Sequence, residues 1–379
     1  MQNQKLKAIH IHTDLKFIHN TKMFEGAYFS NTTIVMSNNK EESKLNEKVI
    51  VFSRNKEDFS KIVNLCTEAD LVVLYDLDII KRRLTLALPK NLKIAWRFFG
   101  YEFYTKRPDL FKSDLSRKYD KISFSTKVRK MLSPYYNFIF KFKRITNIDG
   151  RVLKRINYFL ALSYEEYDYL IQYWPSLPHF VKLPHFHFDR KIFKVDFQKK
   201  ETGKPLIFIG NNRSSYNNHL DLINLIDKYE NKNNNNFTLF FNYGRKEKYT
   251  NEVVLRTKNK NYYTLIDDFL KEEDFNDIYE KASGLVINGY RQMAGANIRT
   301  ALEHGVKVYL NNKNVHKQFL ENQGFKIFSI EDFESDLKNN NLGLDKVTAK
   351  YNIENFKLFC NTYTKEDFQK IIYSQLKSE

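Results

Sequence analysis

The residues best suited to chemistry lie between Gly284 and Leu310, in GLVINGYRQMAGANIRTALEHGVKVYL. This stretch reads as a buried strand (Gly284–Asn288), a polar loop (Gly289–Met293) and a small-residue opening, Ala294-Gly295-Ala296-Asn297. A helix to His304, then Gly305 and a second buried strand, Val306–Leu310, complete a parallel crossover unit. The N-terminus of such a helix offers unpaired backbone N–H groups and a positive dipole end. Gly295, Ala296 and Asn297 are small enough for a diphosphate to approach the backbone closely. The same pattern also suits an ordinary α/β crossover with a helix-packing glycine.

Other polar residues fall at the ends of expected strands. Ile207-Phe208-Ile209-Gly210-Asn211 ends in Gly-Asn and runs through Ser214 to His219 into a helix, offering backbone, hydroxyls and a helix start to phosphate or sugar oxygens. A capped strand-to-helix turn would read the same way. Phe241-Asn242-Tyr243-Gly244-Arg245 places Tyr243 to line a pocket and Arg245 to neutralise phosphate. Near the N-terminus, Asp14 and His19 follow the first strand, and an imidazole suits proton transfer near neutrality. Arg97, Glu102 and Tyr104 follow another strand and are candidates for a second groove, whereas Trp96 reads as core. Asp76-Leu77-Asp78 resembles the metal-binding DxD of single-lobed GT-A transferases, but it reads better as a helix-capping pair. His179 and Pro184-His185-Phe186-His187 lack the Cys or patterned carboxylate that would complete a metal set, so an interlobe hinge or a substrate contact fits them better.

Positioning these residues requires two α/β units. Lys7–His12, Val49–Phe52, Leu71–Leu74, Lys93–Phe98 and Tyr158–Leu162 are short apolar runs, with helical patterns at Lys56–Thr67 and Ile79–Leu88. That alternation predicts a parallel sheet with crossover helices. Trp174–Pro184 and the unpatterned residues to Lys204 form a linker candidate. The rhythm then restarts, with strands expected at Leu206–Ile209, Thr238–Phe241, Tyr262–Leu265, Leu285–Asn288, Val306–Leu310 and Phe325–Phe328. Helices fit Asn217–Asp227, Lys246–Thr257, Glu272–Ala282, Ala296–His304 and Asn314–Asn322, and Ile353–Lys377 is helical by pattern. The expected layout is a first Rossmann-like lobe over 1–190, a second over 200–345 with the phosphate-binding features, and closing helices over 346–379 that return towards the first lobe. Two Rossmann-like lobes with parallel sheets facing a central cleft would bind ligands at the strands' carboxyl ends.

A chain of 379 residues can build two cores, and 42% hydrophobic content argues against disorder. Its two cysteines, Cys66 and Cys360, provide no disulfide framework, which fits a reducing cytoplasm. Met1–Lys7 has no apolar h-region, so no signal peptide is expected, and runs such as Leu71–Tyr75 are too short to span a bilayer. Much of the net charge of +17 is diffuse lysine, but one segment concentrates it. Between Arg117 and Arg155 the cations at 117, 118, 121, 127, 129, 130, 141, 143, 144, 151, 154 and 155 face only Asp120 and Asp149, with Tyr119, Phe124, Tyr135, Tyr136, Phe138, Phe140 and Phe142 interleaved. Such a surface suits an anionic membrane face. Single-stranded nucleic acid and a solvated helical face over core aromatics are the other readings.

From Leu206 to about Phe333 the chain resembles the 4-acetamido-4,6-dideoxygalactose transferase family of enterobacterial common antigen synthesis, glycosyltransferase family 56. The resemblance rests on Gly210-Asn211 with Asn217 and His219, Tyr243, the aspartate-free loop with Arg291-Gln292, and Gly295 and Gly305. Asp14, His19 and Asn20, and Trp96, Gly100 and Tyr104 in AWRFFGYEFY, extend it into the first half. It implies the two-lobed GT-B fold and retaining, metal-independent transfer from a dTDP-linked sugar to a polyprenyl-diphosphate acceptor at the inner membrane face, without a cofactor. The donor would meet Gly210, Asn211, Ser214, His219, Tyr243, Arg245, Arg291, Gly295, Ala296, Asn297 and Thr300. The acceptor would meet Arg97, Glu102 and Tyr104, with His19, Asp14 and Gln292 nearest the chemistry. The base would stack on the loop ahead of the Glu272–Ala282 helix. Many retaining GT-B enzymes carry two glutamates eight residues apart, one for the sugar and one for the ribose; Gln292, which can still hydrogen-bond the sugar, and Thr300 stand there instead, and Glu303 is expected on the surface or behind the site. An inverting transferase with His19 or Asp14 as base, and a nucleic-acid-binding protein lacking any motif beyond charge, are the competing readings.

Overall fold

The computed structural model describes residues 4–38, 49–119, 148–185 and 203–378. These divide into two compact units, one of residues 4–102, 148–185 and 362–378, the other of residues 103–119 and 203–361.

In the first unit, seven parallel strands run β1 (Leu6–His12), β2 (Phe29–Met36), β3 (Val49–Phe52), β4 (Leu71–Tyr75), β5 (Lys93–Arg97), β6 (Tyr158–Ala161) and β7 (His179–Lys182). Their spatial order is β3-β2-β1-β4-β5-β6-β7. Every residue of β4 and β6 is buried, as expected of strands covered on both faces. Two strands escaped the sequence reading. β2 opens with polar Ser30, Asn31, Thr32 and Thr33, and β7 is a four-residue edge strand between Pro178 and Pro184, inside the presumed linker. Residues 365–378 form the unit's last helix, whose Phe368 meets Phe24 edge-on at 5.2 Å. Its Gln369 donates to Met23 O (2.7 Å) and Glu25 O (3.1 Å). The closing helices expected over 346–379 are Lys346–Thr362 and Lys365–Ser378. Thr364 and Asp367 exchange side-chain to backbone hydrogen bonds at the break, a reciprocal cap that starts a new helix.

In the second unit, the strands are β8 (Leu206–Ile209), β9 (Asn236–Phe240), β10 (Tyr263–Ile266), β11 (Ala282–Ile287), β12 (Lys307–Leu310) and β13 (Phe328–Ser329). They are parallel, in the order β10-β9-β8-β11-β12-β13. The last is two residues long and keeps only Phe328 of the Phe325–Phe328 run expected to form it. Both sheets reverse direction beside their first strand, at β1/β4 and at β8/β11. There successive crossovers leave to opposite sides, so the carboxyl ends of the two strands stay uncovered.

Phe368 is fully buried in the first unit's core. Phe368→Ala should therefore cost about 3–5 kcal/mol of unfolding free energy, measurable by urea denaturation. A loss below about 1 kcal/mol would show that the terminal helix contributes little to that core.

Candidate functional site

In the second unit the loops after β8, β9 and β11 converge. The β11 loop enters the helix Gly295–Glu303 through Ala294, an N-cap at φ +59° with no side-chain acceptor. Several other helices are capped by side chains, those of Asn55, Asp78, Ser113, Ser163, Asn314 and Ser329, whereas His219–Ile226 and Glu272–Glu280 also lack one. Alanine is a poor N-cap and pays steric strain at positive φ. The first intrahelical bond is Ile298 N to Ala294 O, so the N–H groups of Gly295, Ala296 and Asn297 precede the ladder. Gly295 and Ala296 are exposed, and a Cβ at Gly295 would meet nothing within 4 Å. An anion is the natural cap for such an end.

The side chains behind this end turn inwards. Asn297 Nδ2 donates to Tyr279 Oη (3.0 Å), and Thr300 is fully buried. Thr300 therefore cannot present its hydroxyl to a donor, against the sequence expectation, and Asn297 offers backbone only. Glu303, expected at the surface or behind the site, is also buried. His219 is fully buried too, with Nδ1 3.3 Å from Tyr249 Oη. Its Nε2 underlies Gly210, where an added Cβ would approach to 2.6 Å, so the imidazole supports the loop instead of touching a ligand. Gly210 is itself at φ +68°.

Amides knit the loops together. Asn217 accepts from Asn211 N (3.2 Å) and donates to Asn212 O (3.0 Å), and Ser214 N donates to Asn212 Oδ1 (2.8 Å). Asn211 Nδ2 donates to Tyr243 Oη (2.8 Å), linking the β8 and β9 loops. Tyr243 stays 40% exposed, and desolvation raises its phenol pKa. Gly244, at φ +105°, lies against Arg213 and Ser214. Arg213, in the polar run after Gly210-Asn211, binds Phe241 O and pairs with Asp267 at 3.5 Å. Arg245 is exposed beside them.

Arg291 sits over the rings of Tyr216 (5.3 Å) and Tyr104 (5.8 Å). Tyr104 was expected on the acceptor side, yet residues 103–119 pack into this second unit. Ser113 holds them there, its N donating to Asn218 Oδ1 (2.9 Å) and its Oγ to Asp221 Oδ2 (2.6 Å). Gln292 is half-buried, and its Oε1 has no hydrogen-bond partner among the described residues.

In the first unit, Asp14 caps the 3₁₀ helix Leu15–Phe24 by accepting from Lys16 N (2.9 Å). His19 is exposed on that helix; desolvation, followed by Lys22 and Lys16, holds its pKa below the ordinary value against a backbone hydrogen bond at Lys16. Glu102 is buried, with Oε1 3.3 Å from Trp96 Nε1 and 3.4 Å from Phe99 N, and burial pushes its pKa up to about 7. That enclosure corrects its assignment as a direct acceptor contact. Asp78 caps the helix Ile79–Ala87, while Asp76 at φ +69° accepts from buried Lys81 Nζ at 2.7 Å. Lys81 also lies 3.4 Å from Asp78 Oδ2 and donates to Thr13 Oγ1 (2.6 Å), so both aspartates are engaged within the protein. Among the described residues no group of three His, Cys, Asp or Glu is arranged to hold a metal. His179 meets Gln375 at 3.1 Å and His185 meets Leu162 O at 3.2 Å; Phe186 and His187 lie outside the described residues.

No sequence-family model matches the chain, and no curated protein matches it in sequence. Solved structures do match. The trehalose-6-phosphate phosphatase N-terminal domain of Candida albicans aligns at TM-score 0.65 and 9% identity, over 100% of this chain and 98% of that one. Anabaena HepE, in complex with UDP and glucose, aligns at 0.64 and 12% identity, over 99% and 100%. The sucrose-phosphate synthase of Thermosynechococcus elongatus aligns at 0.64 and 11% identity, over 99% and 100%. The chain has the GT-B fold. Within this GT-B chain, the residue that sequence reasoning missed at the site is Tyr216. It falls in a polar run with no periodicity, and only the shared strand ends bring it to Arg291.

A pH dependence follows from His219, whose pKa burial lowers from 6.5 to about 3. Between those values the unfolded chain binds a proton that the folded chain does not, so stability rises with pH up to 6.5 and is lost below. His10 and His316, each lowered to about 4, act in the same sense, and Glu102 opposes them. His219→Gln should reduce the slope of unfolding free energy between pH 4 and 6.5 by up to about 1.4 kcal/mol per pH unit. An unchanged slope in denaturant titrations would mean that His219 is protonated in the folded protein.

Proposed function

We propose that the chain is a nucleotide-sugar-dependent glycosyltransferase that uses the second unit's site for its donor. The observation carrying this reading is the uncapped helix start at Ala294–Asn297, beside Arg291 and at the β8/β11 reversal of a GT-B sheet. HepE, solved with UDP and glucose, and an α-glucosyltransferase, solved with UDP and aligned at TM-score 0.55 and 9% identity, lend it support.

The donor's diphosphate would lie on the N–H groups of Gly295, Ala296 and Asn297, with Arg291 and Arg245 offsetting charge as the glycosidic C–O bond breaks. Gln292 would hydrogen-bond a sugar hydroxyl or acetamide. Phe269, 82% exposed in the loop ahead of the helix Glu272–Glu280, would stack on the base. In a retaining transfer the acceptor oxygen bonds the anomeric carbon on the face the diphosphate leaves, and the departing phosphate oxygen takes the acceptor proton. No side-chain base is then required. Lys81 engages Asp76 and Asp78, which agrees with a leaving group stabilised by backbone and arginine instead of a divalent cation. A dTDP-linked deoxyamino sugar as donor and a lipid-linked saccharide as acceptor follow from the family resemblance alone.

The inner membrane surface would be met through the Arg117–Arg155 segment. Residues 120–147 lie outside the described residues. The helix Ile148–Arg155 exposes Arg151 and Lys154 and buries Val152 and Leu153, the amphipathic division an anionic surface favours. Among the described residues no helix is long and apolar enough to cross a membrane.

Nucleotide binding tests the site. Calorimetry with UDP, dTDP and GDP should give one preferred ligand, and Gly295→Val should weaken it at least about tenfold, ~1.4 kcal/mol, in a protein that still folds. Tyr104→Leu should lose the cation–π support of Arg291, about 0.5–2 kcal/mol, and Tyr104→Phe should retain it. Undiminished affinity in Gly295→Val would place the phosphates elsewhere. Stereochemistry is tested separately by product NMR: an α-linked donor should give an α-linked product, and a β-linkage would promote His19 or Asp14 to general base.

A further inference from the structure

We propose that Arg97, at the carboxyl end of the first unit's sheet, binds the oxyanion of a negatively charged acceptor, a phosphate or a carboxylate. The proposal rests on the glycosyltransferase reading in taking that anion to be part of the acceptor; the binding site itself rests on the first unit's geometry.

Arg97 is the last residue of β5, opposite Tyr75 of β4 and Leu160 of β6. Its Nη1 donates to Phe98 O at 2.7 Å, and its Cζ lies 4.9 Å from the Phe99 ring, which stacks on Phe17 at 4.3 Å. Two contacts thus fix the guanidinium plane. Its Nε is buried and has no acceptor. Among the described residues Nη2 has none either, and no carboxylate oxygen comes within 4 Å of the group. The unused edge, Nε with Nη2, is the fork that matches two oxygens of one carboxylate or phosphate. Glu166 and Glu102 attract the cation from farther away, but Glu102 Oε1 is committed to Trp96 and Phe99. Desolvation outweighs that attraction and lowers the guanidinium pKa to about 10, so it stays charged. A largely enclosed cation with one of its five donors bonded is costly to retain for packing alone.

His12 supplies a second, independent observation. It ends β1, is buried, and has no partner for either ring nitrogen. It stacks at 4.0 Å on Tyr75, the residue between it and Arg97 on the row of strand ends. Burial keeps the imidazole neutral, with its pKa lowered to about 2, so it can donate or accept a hydrogen bond without repelling an added cation. His12, Tyr75 and Arg97 end three neighbouring parallel strands at the sheet's direction reversal, where doubly wound sheets take ligands. A fixed anion fork with a neutral hydrogen-bonding ring two strands away suits a ligand with one oxyanion and further hydroxyls.

The test uses the full chain, ¹⁵N-labelled at arginine, with UDP or dTDP present to occupy the second unit's phosphate site. Inorganic phosphate or acetate is titrated at ionic strength held constant with chloride. One Nε–H resonance, identified by its loss in Arg97→Lys, should move and saturate. The phosphate-dependent rise in melting temperature should disappear in Arg97→Met and fall at least threefold in Arg97→Lys, which keeps the charge but not the fork and serves if the methionine variant fails to fold. Saturation at lower phosphate than acetate assigns a phosphorylated acceptor; the reverse assigns a carboxylate. A resonance that moves with neither anion, or a melting shift unchanged in both variants, overturns the site. If Arg97 responds while no nucleoside diphosphate binds the protein, the anion site stands and its role in acceptor binding falls.

Discussion

Backbone N–H groups at the start of Gly295–Glu303 are the constraint around which the second unit is organised. A helix end lacking a side-chain cap is a liability unless something anionic meets it, and here the N-cap is an alanine held at positive φ. Holding that residue requires a firm loop, and the loop is firm because its neighbours are. Asn314 Nδ2 donates to Gly289 O, Asn311 Nδ2 to Asn288 Oδ1, and Asn218 Nδ2 to Asn288 O. These amides replace the hydrogen bonds the sheet can no longer supply once β11 and β12 have ended. Asparagine suits the task because one side chain both donates and accepts.

The same logic places the charges. Arg291 lies on two aromatic rings, which fix the position of its guanidinium beside the helix start. Lys81 illustrates the opposite arrangement, a buried cation quenched by Asp76, Asp78 and Thr13, which stabilises a loop and is spent in doing so. Arg97 resembles Arg291 more than Lys81, with its plane fixed by a ring and a carbonyl and its fork uncommitted.

Periodicity made most of this fold legible. Leu206–Ile209 and Leu71–Tyr75 are short, wholly apolar runs between polar breaks, and both are strands. β2 and β7 were not legible, because strand-edge and sheet-edge positions tolerate serine, asparagine and flanking proline that read as loop. At the candidate site, the loop carrying Arg291 and the helix start at Gly295 could be read as loop and helix from type and spacing, although an ordinary crossover has the same signature. The inward turn of His219, Asn297 and Thr300 could not be read, because the side of a helix that faces the core depends on which strands it covers. Nor could the placement of Tyr104, which depends on Ser113 meeting Asn218 and Asp221 more than a hundred residues away.

Neither unit is a single stretch of chain. The first contains residues 365–378, and the second contains residues 103–119. Phe368 and Ile372 complete the first unit's core, yet they are translated after the whole of the second unit's sheet. On the ribosome the order of completion is therefore reversed: the unit that begins synthesis first is the last to close its core. Until then β1 and β2 expose the apolar face that the last helix covers.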